Sequence, residues 1–388
     1  MLLPVITPRI PLPNVAIQAA TDINPPEDFG SSIYRACKMS TGFGVLPYKE
    51  GSTGGNNLFD SIIPFTVDAS TGAVTLGTPD EIGAAFDNIE PVIKRISDTK
   101  ALYTYRAFGS GTWGLRTHLV TTSGLSIPTI SAEDNIAETN REYNYGVFDN
   151  HNNVFIMDSS TALAVWLEGS ALYYNVIDIS GATPVLGTTV SYGPNPAGTT
   201  NEMAMQKVSS TQGVAFSEAH DGFVWTLSGG VLTFSAATDV GGSDITAQLS
   251  GELIPGTSRV LFTYQTEVIS GTYGTTKAQI LGIDGSGNLE FGTLKSFTEF
   301  GTSSYYPANR PWDNKKALIT AHNNTTGKNL ALNVRISGLN LGSVGVVTDL
   351  GSGVAEASYT FEIISSAQIA GFIDDSNPDD WYTIALDN

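Results

Sequence analysis

The feature that most constrains this chain is a short segment that recurs seven times at nearly even intervals. Each copy is an apolar run that follows a turn and ends in small or acidic residues; the copies are 15–23, 74–82, 125–130, 185–190, 232–240, 289–294 and 344–350. Their starts lie roughly 50 to 60 residues apart, and a fixed period in this range is typical of propellers and other repeat arrays. The repeat therefore constrains the fold more than any single motif does.

Each repeat divides into four short strands. In the fourth repeat, strands are predicted at 203–209, 214–219, 223–227 and 232–236, with turns rich in Ser, Gly and Asp between them. Turns of this kind between runs of Val, Phe, Trp and Leu favour a meander of antiparallel strands. The sequence thus predicts an all-β fold, a seven-bladed β-propeller of four-stranded antiparallel blades. Merging two weak repeats would give six blades, and splitting a long one would give eight.

The two ends of the chain complement each other. The last repeat has three strands, whereas the chain begins with a fourth strand that has no partners before it, so 15–23 is expected to pair with 381–386 and close the last blade. This makes 15–388 a single propeller domain, preceded by an extended proline-rich arm at 1–14. The arm is either a tether to the closing strand or a docking segment for a neighbouring subunit. Helix should be scarce, with 79–85 and 132–141 as the best places for a short helical turn.

Composition and charge exclude several functions. The net charge is −19, and the longest basic cluster is the pair Lys315 and Lys316. Binding of nucleic acid requires grouped cations, so we expect neither a nucleic-acid partner nor an anionic membrane surface as partner. No apolar run approaches the ~20 residues of a spanning helix, so we expect no membrane insertion. The N-terminus lacks the pattern of a signal peptide and Cys37 is the one cysteine, which predicts synthesis in the cytoplasm without disulfides.

No catalytic signature stands out. The four histidines fall in different repeats, and we expect His151, His220 and His322 to be solvated residues at turns. Paired carboxylates near the propeller axis could cleave glycosides, but the repeated Asp boxes of sialidases are absent. We therefore predict that the protein is not an enzyme, with a glycan-binding or glycan-hydrolysing propeller as the alternative.

Acidic residues recur where the chain leaves the fourth strand of a repeat. The candidate binding residues are Asp80, Glu81, Glu133, Asp134, Asp239 and Asp349. The spacing predicts that they lie on one face of the ring, where they could attract cations, a basic partner surface or a calcium ion. Solvated loop ends are the simpler interpretation. No cofactor is predicted, and calcium is the one metal left open.

Four tyrosines are candidate aromatic binding residues because they precede or begin the first strand of a repeat. They are Tyr143, Tyr145, Tyr305 and Tyr306. Exposed aromatic rings at such positions could stack on sugars, and packing between blades explains them equally well.

The hairpins 283–292, 67–77 and 177–181 share the pattern of an apolar residue, Asp, a Ser/Gly turn and an apolar run. In this respect the chain resembles propeller proteins of tailed bacteriophages that occur in the virion or the tail. The resemblance implies a non-enzymatic structural or receptor-binding module that acts by surface recognition in the virion. Its partners would be other virion proteins, bound through the arm, and a host surface glycan or protein, with a homo-oligomer as an option. No residue role follows from it.

Overall fold

The computed structural model describes fourteen segments of the chain. These segments are 15–22, 29–33, 36–50, 59–82, 88–109, 112–137, 154–168, 171–198, 203–242, 246–268, 272–352, 362–364, 368–373 and 380–386. The predicted arm at 1–14 lies outside them, so the prediction of an extended arm stays untested.

The described chain folds into seven antiparallel sheets, numbered I to VII in chain order. The first strand of the chain, β1 (Val15–Asp22), joins the last sheet. Sheet I contains β2 (Phe29–Ile33), β3 (Cys37–Ser40), β4 (Phe43–Glu50), β5 (Phe59–Val67), β6 (Val74–Leu76) and β7 (Asp80–Glu81). Sheet II contains β8 (Asn88–Arg95), β9 (Lys100–Gly109), β10 (Thr112–Thr121), β11 (Thr129–Ile130) and β12 (Asp134–Ala137).

The next sheets repeat this pattern. Sheet III contains β13 (Val154–Ile156), β14 (Thr161–Glu168), β15 (Ala171–Asp178), β16 (Val185–Leu186) and β17 (Val190–Pro194). Sheet IV contains β18 (Met203–Lys207), β19 (Gln212–Ser217), β20 (Asp221–Ser228), β21 (Val231–Phe234) and β22 (Thr238–Asp239). Its four main strands lie close to those that the sequence predicts.

The remaining sheets complete the chain. Sheet V contains β23 (Thr246–Leu253), β24 (Arg259–Val268), β25 (Thr272–Ile283), β26 (Leu289–Phe291) and β27 (Lys295–Phe297). Sheet VI contains β28 (Ser304–Pro311), β29 (Lys316–Asn323), β30 (Lys328–Ser337), β31 (Asn340–Val344) and β32 (Thr348–Ser352). Sheet VII contains β33 (Glu362–Ile363), β34 (Gln368–Ile373), β35 (Asp380–Leu386) and β1.

The sheets pack side by side in chain order as the blades of a propeller. First strands of neighbouring sheets contact one another, as β3 does with β8 and β23 does with β28. Apolar clusters fill the successive interfaces from sheet I to sheet VI. Ile364, which follows β33 of sheet VII, packs in the core of sheet I, and β1 contacts β30 and β32 of sheet VI. Sheets II to V thus bury both faces against their neighbours, which divides the core into layers.

The prediction of an all-β propeller with four-stranded antiparallel blades is confirmed. Six sheets are each formed by one continuous stretch of chain, whereas sheet VII combines both ends. In that sheet β1 pairs with β35, with Ala16 opposite Ala385 and Ala19 opposite Thr383. The predicted pairing of 15–23 with 381–386 is confirmed.

The fourth strand of sheets I to VI is broken in two by a bulge, and we call its two pieces together the outer strand. The bulge begins at a small residue whose N–H donates to a carbonyl of the third strand over 2.7 to 3.0 Å; these residues are Gly77, Ser131, Gly187, Ser235, Gly292 and Gly345. The chain then returns to pair with the third strand again, for example β12 with β10. Such bulges end regular pairing and protect the edge of a sheet.

Close packing of the next sheet requires a small residue at two of these bulges. A Cβ at Gly77 would lie 2.3 Å from the Leu125 carbonyl oxygen of sheet II, and a Cβ at Gly292 would lie 1.7 Å from the Leu339 carbonyl oxygen of sheet VI. The small residue that follows the apolar run in the repeat is therefore where the neighbouring turn approaches the backbone.

The predicted helical turns at 79–85 and 132–141 are wrong over 79–82 and 132–137, and the rest of both ranges lies outside the described residues. β7 and β12 lie there, because the chain after the bulge resumes pairing with the third strand and so satisfies its backbone groups in the sheet. The described residues contain one short 3₁₀ helix, Thr298–Phe300. No helix among them has the length and apolar character that crossing a membrane would require.

Candidate functional site

The candidate acidic residues lie on the outer strands, and the sequence prediction placed them wrongly on connecting loops. Asp80 and Glu81 form β7, Asp134 begins β12, Asp239 ends β22 and Asp349 lies in β32, while Glu133 directly precedes β12. They face the side of the ring because the strand continues beyond the bulge instead of turning inward. We call these six residues the acidic rim.

Most rim carboxylates also bond nearby backbone. Asp134 Oδ2 accepts the N–H of Leu186 in sheet III at 2.7 Å. Asp239 Oδ1 accepts the N–H of Gly241 at 2.8 Å, and Asp349 makes the equivalent bond to Gly351 at 2.9 Å. Short acids therefore stabilise turns here and link neighbouring sheets, while their charge remains on the rim.

Asp349 pairs in addition with Lys328 of the third strand. The hydrogen bond from Lys328, followed by the backbone bond from Gly351, lowers the pKa of this carboxyl group. The charge of Asp349 is thus balanced locally, as is that of Glu133 by Arg116, whereas Glu81 and Asp239 are exposed and have no ion pair among the described residues.

Glu133 joins the densest group of titratable side chains that the structure describes. Arg116 Nη1 lies 2.9 and 3.0 Å from its two carboxylate oxygens, and the Tyr105 hydroxyl donates to Oε2 at 2.9 Å. His118 Nε2 lies 3.2 Å from the same hydroxyl, and the two rings stack with centroids 5.7 Å apart. We call Tyr105, Arg116, His118 and Glu133 the tyrosine–histidine cluster.

The local fold brings these side chains together. Arg116 stands opposite Tyr105, and His118 opposite Tyr103, in the β9–β10 pair, so all four point to the face that packs on sheet I. Glu133 reaches the same face from the bulge. Because the bulge interrupts the outer strand there, an acidic side chain can cover the end of an otherwise apolar interface.

The tautomer of His118 follows from its partners. Nδ1 lies 3.0 Å from the carbonyl oxygen of Ser131, which can only accept, so Nδ1 carries a proton. In the neutral ring Nε2 is then an acceptor, and the single proton of Tyr105 must serve either Nε2 or Glu133. If His118 takes up a proton, Nε2 donates to Tyr105 and Tyr105 donates to Glu133, which satisfies every member of the chain.

Burial opposes that protonation. Loss of solvent lowers the pKa of His118, and Arg116 lowers it further, whereas the bond to the Ser131 carbonyl and the charge of Glu133 raise it. The imidazole ring is therefore neutral at pH 7, although the Ser131 carbonyl and Glu133 partly stabilise its charged form. Chemically the cluster can hold and share a proton, but its groups engage one another and the backbone of their own sheet.

The candidate tyrosines do not form a site in the described structure. Tyr143 and Tyr145 lie outside the described residues. Tyr305 and Tyr306 lie in β28, the first strand of sheet VI, where Tyr305 pairs with His322 in the register; their side chains are not among those described. Their role in binding stays a prediction.

Two of the predicted solvated histidines are buried. His220 is 4% exposed and His322 is 7% exposed. His322 Nδ1 lies 3.1 Å from Asn329 Oδ1, and the ring of His220 packs edge-on against Tyr264. The prediction failed for His220 because a neighbouring sheet covers its turn, and for His322 because it lies within β29 and not in a turn. His151 lies outside the described residues.

In the part of the chain that the structure describes, no group of three or more His, Cys, Asp or Glu side chains could hold a metal ion. The Asp284 turn, which could have formed an oxygen cage, is a hairpin turn: Oδ1 accepts the N–H groups of Ser286 and Asn288 at 2.8 and 2.9 Å.

Sequence patterns missed the tyrosine–histidine cluster. Tyr105 and His118 are 13 residues apart in one hairpin, and Glu133 follows 15 residues later. Alternation of Tyr103 with Tyr105 and of Arg116 with His118 shows that each pair shares a face, and this signal was present. The contact with Glu133 depends on the bulge, whose geometry no short motif encodes.

Comparisons with known proteins follow the fold. No protein-family model matches the chain, and no curated protein matches it either. Similar solved structures include the β-propeller domain of the trilobed protease from Pyrococcus furiosus, with 10% identity, a TM-score of 0.47 and coverage of 92% of this chain and 94% of that one. Another is the acylaminoacyl peptidase of Pyrococcus horikoshii, with 11% identity and a TM-score of 0.47; the match covers 90% of this chain and half of that one.

These findings contradict the phage virion or receptor-binding function. The two solved structures named above belong to archaeal peptidases, and neither connects the chain with phage proteins. The loose Asp-Ser/Gly hairpin that suggested phage propellers is the turn that leads from the third strand into the outer strand, as at Asp284. The glycan alternative gains no support either. At such low identity, the peptidases transfer no activity to this chain.

Proposed function

We propose that this chain is a non-catalytic protein-binding propeller whose outer strands bind a basic, partly apolar polypeptide surface. The observation that carries the proposal is that charge and exposed apolar groups coincide on the same strands. The described outer strands and their bulges hold the acidic rim, with Lys295 as their one basic residue.

Exposed apolar side chains mark the same surface. The large hydrophobic side chains that are exposed among the described residues all lie in the outer strands or directly beside them; they are Ile127, Val185, Val190, Val231, Phe291 and Val346. Phe291 is 41% exposed and Val346 is 65% exposed. Scattered apolar residues are common on surfaces, but their restriction to the outer strands of sheets II to VI and the residues beside them indicates a shared contact surface.

The negative charge of the acidic rim determines which partner surfaces are attracted. A negative rim on a chain of net charge −19 attracts Lys and Arg and repels acidic surfaces, which speeds encounter and sets specificity. The bulges shorten the outer strands, so we expect recognition by side chains rather than addition of a partner strand. The cluster around His118 supports a non-catalytic role, since its groups bond to their own sheet.

A defined peptide tests this proposal. A labelled ten-residue peptide of alternating Lys and Leu should bind the intact chain in fluorescence anisotropy, whereas the Glu and Leu counterpart should not. Glu81→Gln with Asp239→Asn should weaken binding about tenfold and reduce its salt dependence. Asp239→Asn keeps an oxygen that can accept the N–H of Gly241. Val231→Ser tests whether the exposed apolar side chains contribute to binding.

Asp98→Asn is the matched control, because Asp98 is exposed in a turn of sheet II and pairs with Arg95 away from the rim. Equal binding of both peptides, or equal weakening by Asp98→Asn and the rim variants, would contradict the proposal.

We also propose that sheet VII is the seventh blade, equivalent to the six continuous ones. Its support is the packing of Ile364 on sheet I and of β1 on sheet VI. Cysteines introduced at Ala16 and Ala385, which are opposite in the register, should form a disulfide and raise the Tm. Failure to cross-link in the native state would show that β1 does not complete sheet VII as its fourth strand.

A further inference from the structure

A cleft between sheets V and VI brings two basic side chains together in a strongly acidic chain. It has a volume of about 310 Å³ and is lined in part by Thr257, Arg259, Asn314, Lys315 and Ser337. Two cations thus meet in one cleft of a chain with only 19 basic residues and 38 acidic ones.

Arg259 is positioned but not fully engaged. Its Nε donates to Glu290 Oε1 at 3.0 Å, and both side chains are partly buried. A guanidinium group has five N–H donors, and among the described residues the Nη atoms of Arg259 bond to none. The pair with Glu290 therefore orients the guanidinium while the Nη side remains available for a planar or tetrahedral oxyanion.

Lys315 contributes a second, uncompensated charge. Its backbone is fixed, because Asp313 Oδ1 accepts its N–H at 2.7 Å and its carbonyl accepts the N–H of Ile336 at 2.6 Å. Its ammonium group makes no hydrogen bond or ion pair with the residues that the structure describes. Lys316 and Arg335 are neighbours in the β29–β30 register and add to the positive potential beside the cleft.

Another cleft, formed by residues of sheet III alone, lacks this character. It has a volume of about 420 Å³ and is lined by Ser160, Asp178 and Ser180, with no cation among its lining residues. Asp178 accepts the hydroxyl and the N–H of Ser180, so the acid there closes its own turn. Arg259 and Lys315 therefore distinguish the cleft between sheets V and VI from this one.

We propose that the cleft between sheets V and VI binds a small polyvalent oxyanion, a phosphate group or a dicarboxylate. Arg259 binds it through the Nη atoms, Lys315 supplies a point charge, and the Asn314 amide and Ser337 hydroxyl donate from the rim of the cleft. The site is independent of the acidic rim, which lies on the outer strands and carries the opposite charge.

Calorimetric titration of the full chain tests this site, with inorganic phosphate and with malonate at constant ionic strength. Binding of either anion supports it, and the tighter one identifies the preferred shape. Lys315→Ala should raise the Kd about tenfold, the effect of one charged hydrogen bond. Arg259→Gln should act in the same direction, and Lys315→Ala remains informative if that variant unfolds, since Lys315 is exposed.

Arg95→Ala is the matched control, because it removes one positive charge from a turn of sheet II that also lies at the end of a first strand. Its Kd should change less than twofold. Absence of phosphate and malonate binding to the unmodified chain, or equal weakening by Lys315→Ala and Arg95→Ala, would overturn the proposal.

Discussion

Sheets II and IV have the same bulge above two different side chains. Ser131 and Ser235 begin the bulges, and each hydroxyl accepts a backbone N–H of the third strand and donates to the carbonyl of the next residue. The side chain beneath is His118 in sheet II and Phe223 in sheet IV. His118 bonds the Ser131 carbonyl, whereas Phe223 packs edge-on against Phe234 with ring centroids 6.3 Å apart.

Because the same bulge forms above both side chains, its small residue and its backbone bonds specify it. The position beneath it varies among the sheets; it is Ile63, His118, Asn175, Phe223, Gln279 and Leu332. The polar residues bond the carbonyl of the bulge, and the apolar ones fill the core between sheets. A propeller can thus place a titratable group in one blade without changing the others.

The largest loss of stability is expected when the phenylalanine beneath the bulge of sheet IV is replaced by the histidine found in sheet II. Phe223→His puts a polar ring among Trp225, Leu227 and Leu232 and removes the packing on Phe234. We expect a loss of about 3 kcal/mol in the free energy of unfolding, measured by urea denaturation. Phe223→Leu, the apolar control, should lose about 1 kcal/mol. If the His variant were as stable as the Leu variant, the pocket would accept polar groups and the two sheets would not differ as described.

The next effect concerns Gln279, the long polar residue at this position. Its Nε2 donates to the carbonyl oxygens of Gly292 and Val240, both at 2.9 Å. Gln279→Leu should cost about 2 kcal/mol because two buried carbonyls lose their donor. Leu332→Met at the equivalent apolar position of sheet VI is the control and should cost less than about 1 kcal/mol. A neutral Gln279→Leu would mean that the bulge carbonyl needs no donor.

A smaller loss of stability is expected when the histidine beneath the bulge of sheet II is replaced by the phenylalanine found in sheet IV. His118→Phe removes the donor to Ser131 but adds apolar area, so about 1 kcal/mol should be lost at pH 8. Because burial lowers the pKa of His118, the unfolded chain binds a proton first as pH falls below about 6.5, and stability falls until the folded pKa is reached. The Phe variant should show less of this loss between pH 6.5 and 5. An unchanged pH profile would assign the loss to other groups.

The two serines should respond alike. Ser131→Ala and Ser235→Ala each remove one acceptor and one donor of the bulge, and each should cost about 0.5 to 1 kcal/mol in thermal unfolding. Ser126→Ala, in a turn of sheet II, is the exposed control. A clear difference between the two bulge variants would show that the side chain beneath the bulge also sets its backbone geometry.

The smallest effects should appear at acid pH in other sheets. Asp68, Asp178 and Asp284 cap the turns before the outer strands of sheets I, III and V, and bonds from Ser70, Ser180 and Asn288 respectively lower their pKa values the most. These bonds stabilise the fold above the unfolded pKa of about 3.9 and are lost as pH falls toward the lower folded value. Carboxyl NMR titration should give midpoints below 3.9 for these groups. Normal midpoints would show that the turns do not hold the acids.

Much of the fold could be predicted from sequence because each repeat contains its own local signals. Gly229 and Gly230 adopt positive φ in the turn before β21, and Val231 to Phe234 alternate between exposed and buried positions. The match of Ala16 with Ala385 was predictable because an unpaired strand at one end met an incomplete sheet at the other.

The site was less predictable because it depends on bulges and on packing between sheets. The bulge at Ser131 turns a predicted loop acid, Glu133, into a partner of Arg116 and Tyr105. Burial of His220 requires a neighbouring sheet that carries Tyr264, 44 residues along the chain. Charge on the rim could be anticipated from sequence, whereas the sharing of a proton around His118 could not.

The pairing of Val15 with Leu386 has a mechanical consequence. The two strands meet with these residues at the same end, so tension applied across them loads one pair of backbone bonds at a time. The β1–β35 pair would separate one residue pair at a time, at forces well below those needed to slide the strands past each other. The structure would open first between β1 and β35 and leave the six continuous sheets joined.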